Sequence, residues 1–218
     1  MENSKLYSRR EEKANYLTHA FGVFVAVVAT IVLIYRSISA DNGWAIVANA
    51  IYGFGMIVCM LASTIYHYIQ DPKIKSFLRH FDHGSIYVLI AASFSPVTLI
   101  LLRNSGLWGW GLFTFIWIFA LVGLGLNFRK LKTNSNLKTA SYVLMGLSLF
   151  IAVKPLIEIA KAEDCVDVLY WMGAGGIFYI VGSFFYALAK HEFVHSIFHV
   201  FVLLGLISHI IATLLIPL

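Results

Sequence analysis

The chain has 218 residues, of which 60% are apolar and only 12% charged, whereas a soluble domain carries about 45–50% apolar and about 25% charged residues. That balance excludes an ordinary soluble domain and places the chain in a bilayer as one compact unit, with no length left for a separate soluble domain. The net charge of +5 does not argue for nucleic acid, because membrane proteins collect Lys and Arg in cytoplasmic loops for reasons of topology.

Residues 1–13 are polar and mixed in charge and are expected to form a cytoplasmic tail, with residues 14–218 making the membrane domain. The first apolar run, 17–35, is too long for a cleaved signal segment, so it is expected to remain as a helix. Further runs follow at 44–69, 84–102, 107–128, 140–159, 166–189 and 194–217. Each reaches the roughly 20 residues that a spanning helix requires, which predicts an all-α bundle of seven transmembrane helices. Turn-forming or charged breaks separate them, as at 37–43, 70–73, 103–106 and 129–136. The fifth run carries Lys154, Pro155 and Glu158 near its end, which are expected to stop it early. Pro96 is expected to kink the third. Glycines 53, 55, 123, 125, 173, 175, 176 and 182 are read as helix-packing positions, and Trp44, Trp108, Trp110 and Trp171 as an interfacial belt. Cys59 and Cys165 have no paired spacing and are expected to be free thiols.

Alternating loops sort the basic residues. The side of the amino terminus holds Lys5, Arg9, Arg10, Lys13, Lys73, Lys75, Arg79, Arg129, Lys130, Lys132, Lys138 and Lys190, which is 12 of the 16, leaving Arg36, Arg103, Lys154 and Lys161 opposite. The positive-inside bias then puts the amino terminus in the cytoplasm and the carboxyl terminus outside. This is the reverse of a G-protein-coupled receptor.

Ionisable side chains within spans are costly and mark function. His67 closes the second span, Asp82 and His83 open the third, and His195 and His199 open the seventh, all at the cytoplasmic face. His195 and His199 are four residues apart and share one helical face, as do Ser63 and His67. Two such histidines can simply face water at a membrane surface. Three imidazoles with a fourth position open to water would instead be a catalytic zinc arrangement, with Asp82 beside the water. Ser63 reads equally well as a small packing residue. His80 and His191 are expected to be solvated, and His83 points about 100° away from Asp82 on a helix. His209 lies about 15 Å deeper than His199, too far for the same ion, and His19 reads as a supporting or capping group.

Four segments together resemble the hemolysin III proteins, bacterial members of the progestin and adipoQ receptor group that includes the adiponectin receptors. They are Glu-Glu-Lys-Ala-Asn-Tyr-Leu-Thr-His at 11–19, Ser-Thr-Ile-Tyr-His at 63–67, Phe-Asp-His-Gly-Ser at 81–85 with Ser-Phe-Ser-Pro at 93–96, and His-Ser-Ile-Phe-His at 195–199. The resemblance spans nearly the whole chain. It implies a multi-pass protein of the bacterial plasma membrane with Zn2+ on His67, His195 and His199, a zinc-bound water held by Asp82, and Ser63 as a supporting hydroxyl. The implied activity is metal-dependent hydrolysis of a lipid amide or ester. Two other expectations stand beside it: a zinc-containing sensor or regulator of membrane state without catalysis, and a pore-forming cytolysin. Against the pore, polar residues gather at one end of the bundle and do not run its depth.

Overall fold

The computed structural model describes residues 7–128, 135–188 and 191–218. Lys5, Arg129, Lys130, Lys132 and Lys190, which entered the charge count, lie outside the described residues. Helix α1 spans Arg9–Ser39, α2 Gly43–Tyr68 and α3 Pro72–Pro96, α3 being prolonged by a π-helical turn at Val97–Leu101. Helix α4 spans Leu107–Phe128. The fifth span is composite, with α5 at Ser135–Leu147, a 3-10 stretch at Ser148–Ala152 and α6 at Val153–Ala162. Helices α7, Asp167–Leu188, and α8, Val194–Leu215, complete the chain. Among the described residues there is no strand, and seven helical segments are long and apolar enough to cross a membrane.

Each early helix starts where the sequence supplies a cap. Ser8 accepts the Glu11 N–H, with Glu11 and Glu12 in the positive first turn of α1. Asn42 accepts from Ala45 ahead of α2. Asp71 accepts from Lys73 and Ile74, and Pro72 takes the first helical position of α3, where its missing N–H costs nothing. These caps place the starts of α1 and α3 eight and twelve residues ahead of their apolar runs. Hydropathy marks the part of a helix immersed in hydrocarbon, and both helices continue beyond it.

Pro155 does not end the fifth span. It falls in the first turn of α6, after the 3-10 stretch, and the helix continues to Ala162; a first-turn N–H has no intrahelical acceptor, so the proline is tolerated there. Pro96 likewise precedes a widened turn, in which the Leu102 N–H donates to Val97 O five residues back at 2.8 Å.

Helix α3 is central. In the most apolar window of the third span 72% of residues are buried, against 17% for α7. Helices α1, α2, α3 and α8 share a core that includes Leu33, Tyr52, Met56, Met60, Leu89 and Leu206. A second core joins α3 to α4 and the fifth span through Tyr87, Phe94, Ile116, Met145 and Leu156. Small residues set the approach of neighbours, as expected between helices in a bilayer: a Cβ on Gly55 would fall 2.3 Å from that of Ala92, and one on Gly123 would fall 2.5 Å from the Tyr87 ring. The packing reading fails at Gly125, Gly173 and Gly176, where a Cβ meets nothing within 4 Å. Trp44 and Trp110 meet edge to face at 5.2 Å, with Arg103 over Trp44, at the end of the bundle away from His67. Cys59 and Cys165 are both free and buried. Burial, reinforced by Glu163 and Asp164, raises the pKa of the Cys165 thiol in its loop.

Candidate metal centre

The final turns of α2 and the first turns of α8 bring three imidazoles together. His195 Nε2 lies 3.3 Å from His67 Nε2 and 3.1 Å from His199 Nε2. The three ligand atoms fall within 4.8 Å of one another, and the side chains are 0%, 6% and 1% exposed for His67, His195 and His199. Nitrogens held about 2.0–2.1 Å from one tetrahedral zinc sit about 3.3–3.4 Å apart, so the spacing of the set is that of a shared ion.

Hydrogen bonding supports the fit. His67 Nδ1 donates to Glu12 Oε2 at 2.7 Å, and His199 Nδ1 donates to the Asn15 carbonyl at 3.3 Å. Each bond fixes a tautomer in which Nε2 carries a lone pair towards the centre. Two buried lone pairs thus converge beside His195 Nε2, and a single proton on that nitrogen cannot serve both. A cation satisfies all three, and an all-imidazole set suits zinc or another late transition metal, not magnesium or calcium.

The surroundings are built on α1. Glu12, 5% exposed, is shared between His67 and Lys75, whose Nζ lies 2.7 Å from Oε1. Lys75 also donates to the carbonyls of Tyr66 and Ile69 at the end of α2. Asn15 accepts from Ser196 Oγ at 2.6 Å; its Nδ2 is 3.5 Å from His67 Nδ1, too distant to compete with the carboxylate. His19 stacks on His199 with centroids 3.8 Å apart and planes 15° from parallel. Ahead of α1, Tyr7 stacks on His195 at 4.9 Å and 24°, and Ser8 donates to Glu192 in the turn before α8. The segment preceding α1 therefore covers the histidines. Burial raises the Tyr7 phenol pKa above its ordinary value.

Ser63 is buried one turn before His67, and Asp82 interacts with the Ser63 hydroxyl and with His67. Asp82 is not among the mutually close ligand atoms, which are those of the three histidines. Both residues line a cavity of about 430 Å³ that also reaches His19, His195 and His199 and continues between α3, the fifth span, α7 and α8. Its remaining wall is mostly apolar, with Ile90, Phe94, Leu156, Ile177 and Val202 among the lining residues. His209 lines the cavity far from the centre, where it donates to Met172 O at 3.3 Å. His83 also lines it, while His80 contacts its own helix at Ser76 O.

Sequence reasoning singled out segment 11–19 but missed Glu12 as the partner of His67, Lys75 as its counter-ion and Tyr7 as the cover. A signal was present: Glu12, Asn15 and His19 recur at intervals of three and four and mark one polar helical face.

Fold and site define a seven-span membrane protein with a buried three-histidine ligand set opening on an apolar cavity. The model of the family described as Haemolysin-III related matches residues 7–210. The chain is similar to Hemolysin-3 of Bacillus cereus, 36% identical over 196 residues that cover 90% of this chain and 87% of that protein. It is similar also to the Hemolysin-3 homolog of Bacillus subtilis (strain 168), 37% identical over 200 residues, 92% and 91% of the two chains. The Monocyte to macrophage differentiation factor of Homo sapiens is 30% identical over 200 residues, 88% and 78%. The chain belongs to the Haemolysin-III related family, as a multi-pass protein of the cell membrane.

Proposed function

We propose that this protein is a zinc-dependent hydrolase cleaving an amide or ester bond of a membrane lipid, with its amino terminus in the cytoplasm and its carboxyl terminus outside. The observation that carries the reading is the continuity between the three-histidine set and the apolar cavity, with Asp82 and Ser63 at their junction. Zinc, when bound, supplies a Lewis acid that polarises a carbonyl and brings the pKa of water down to about 7. His67, His195 and His199 hold it, and Glu12 and Asn15 O orient two of those rings. Asp82, outside the ligand set, takes the proton of the attacking water and returns it to the leaving group. The Ser63 hydroxyl steadies the oxyanion.

The acyl chain lies in the cavity. Phe150 in the fifth span and Ile177 in α7 line it while remaining 66% and 62% exposed, so lipid enters sideways from the bilayer between these spans. The basic excess on the amino-terminal side supports the orientation, and it puts the centre within reach of cytosolic water. The stretch 1–13, which the structure carries into the first turns of α1 from Arg9 onward, then begins on the cytoplasmic side as well.

Metal content and turnover test the reading together. Purified protein is expected to hold about one zinc per chain for a site with this ligand number. His195→Ala should lose the metal and all lipid hydrolysis while still inserting, and Asp82→Asn should keep zinc but lose about 100-fold or more in rate. Stoichiometric zinc in His195→Ala overturns the ligand set. Full zinc with no hydrolysis of any lipid amide or ester by the parent protein replaces the hydrolase with a zinc-containing regulator of membrane state.

A further inference from the structure

The α7 wall of the cavity is small in the middle and large at its deep end. Its lining residues, which include Leu169, Met172, Gly173, Gly176, Ile180 and Ser183, recur at intervals of three and four and share one helical face. At about 100° per residue, Gly176 falls in the middle of that face, within about 40° of Leu169, Ile180 and Ser183. Gly173 stands almost one turn deeper, on the side of Ile177. A Cβ on either glycine meets nothing within 4 Å, so a side chain added at Gly176 would project into the cavity and not into a neighbouring helix. The facing wall repeats the device. On α5, Gly146 lies within about 60° of Thr139, Tyr142 and Val143, all of which line the same cavity, and a Cβ there also meets nothing.

Depth can be counted along α7. Tyr186 marks the level of the metal centre, its ring centroid 5.8 Å from that of His195. Gly176 is ten residues and Gly173 thirteen residues from Tyr186, which puts them about 15 and about 20 Å from that level at about 1.5 Å per residue. Among the described residues the α7 lining ends at Leu169, about 25 Å away. There Leu169 and Met172 pack against the core that holds Phe94, Leu156 and Val168. The cavity is thus polar at one end, stopped by large side chains at the other, and kept open between them by residues that have no side chain.

An acyl chain passes a packed wall only where its methylenes find space. A leucine at position 176 would fill the volume needed by the part of a chain beyond about 15 Å, and one at position 173 the volume beyond about 20 Å. A chain too short to reach the position would not meet it.

We infer that Gly176 and Gly173 determine how long an acyl chain the cavity accepts, the first admitting chains past about 15 Å from the three-histidine centre and the second past about 20 Å. The inference rests on the reading of the cavity as an acyl site, and not on turnover.

Binding tests it, with purified protein in nanodiscs and three saturated fatty acids that extend about 10, 17 and 23 Å, ending before both glycines, between them and beyond both. Affinities are expressed against the mole fraction of acid in the bilayer, so that partitioning does not enter. The parent protein should bind all three. Gly176→Leu should bind only the shortest as the parent does and lose about tenfold or more for the other two. Gly173→Leu should keep the middle acid as well and lose only the longest. The shortest acid reports that each variant is folded. Parental affinity for every acid in Gly176→Leu, the same cut-off in both variants, or equal loss of all three acids in both overturns the length limit while the acyl cavity of the parent stands. A parent protein that binds none of the acids overturns the limit and the acyl cavity together. Failure to hydrolyse any lipid leaves the binding comparison untouched.

Discussion

Glu12 joins the first helix to the centre, and its replacement by glutamine isolates what its charge contributes. Glutamine keeps the volume but gives His67 Nδ1 only a neutral acceptor in place of a carboxylate at 2.7 Å, and it leaves Lys75 without its partner at 2.7 Å. Loss of a carboxylate behind a ligating histidine typically weakens metal binding about 10- to 100-fold, or about 1.4–2.7 kcal/mol. The same change appears in stability. With free zinc at about 100 times the parental dissociation constant, binding contributes about 2.7 kcal/mol; a site 10- to 100-fold weaker contributes about 1.4 to 0.4 kcal/mol. Competition against a chromophoric chelator measures the affinity, and unfolding with and without zinc measures the linkage. Glu12→Gln within twofold of the parent in zinc affinity would refute the view that Glu12 sets the basicity and tautomer of His67.

Tyr7 stacks on His195 without contributing a ligand atom, so Tyr7→Ala should speed chelator-driven zinc loss several-fold, whereas Tyr7→Phe, which keeps the aromatic face, should match the parent. Equal loss rates in all three proteins would show that the segment before α1 does not cover the centre. The glycines divide by what surrounds them. Gly175→Ala drives a methyl group into the His209 ring and should destabilise by about 1–3 kcal/mol, while Gly125→Ala, with nothing within 4 Å, should stay within about 0.5 kcal/mol of the parent. Denaturant titration in detergent compares the two, and equal costs would contradict this packing of Gly175 against His209.

The spans were legible because a bilayer imposes one simple demand, a helix with about 20 apolar residues, and the length of the apolar runs reports it directly. Helix ends were less so. The starts of α1 at Arg9 and α3 at Pro72 depend on Ser8 and Asp71 as caps, in polar stretches where hydropathy is silent. The continuation of the fifth span past Pro155 depends on a 3-10 stretch that shifts the proline into a first turn.

For the centre, the sequence by itself determined which side chains reach one end of the bundle: His195 and His199 share a face by their spacing of four, and His67 arrives at the same depth because successive spans alternate in direction. Only the tertiary structure decided that α1 packs beside α2 and α8, which hands Glu12 to His67, the Asn15 carbonyl to His199 and Tyr7 to His195. It alone decided that the three histidines gather their ligand atoms without Asp82, among the described residues. The physical reason is that depth in a membrane follows from counting residues along a helix, whereas the neighbour across a helix pair follows from rotation about its axis, which the packing of small and large side chains fixes.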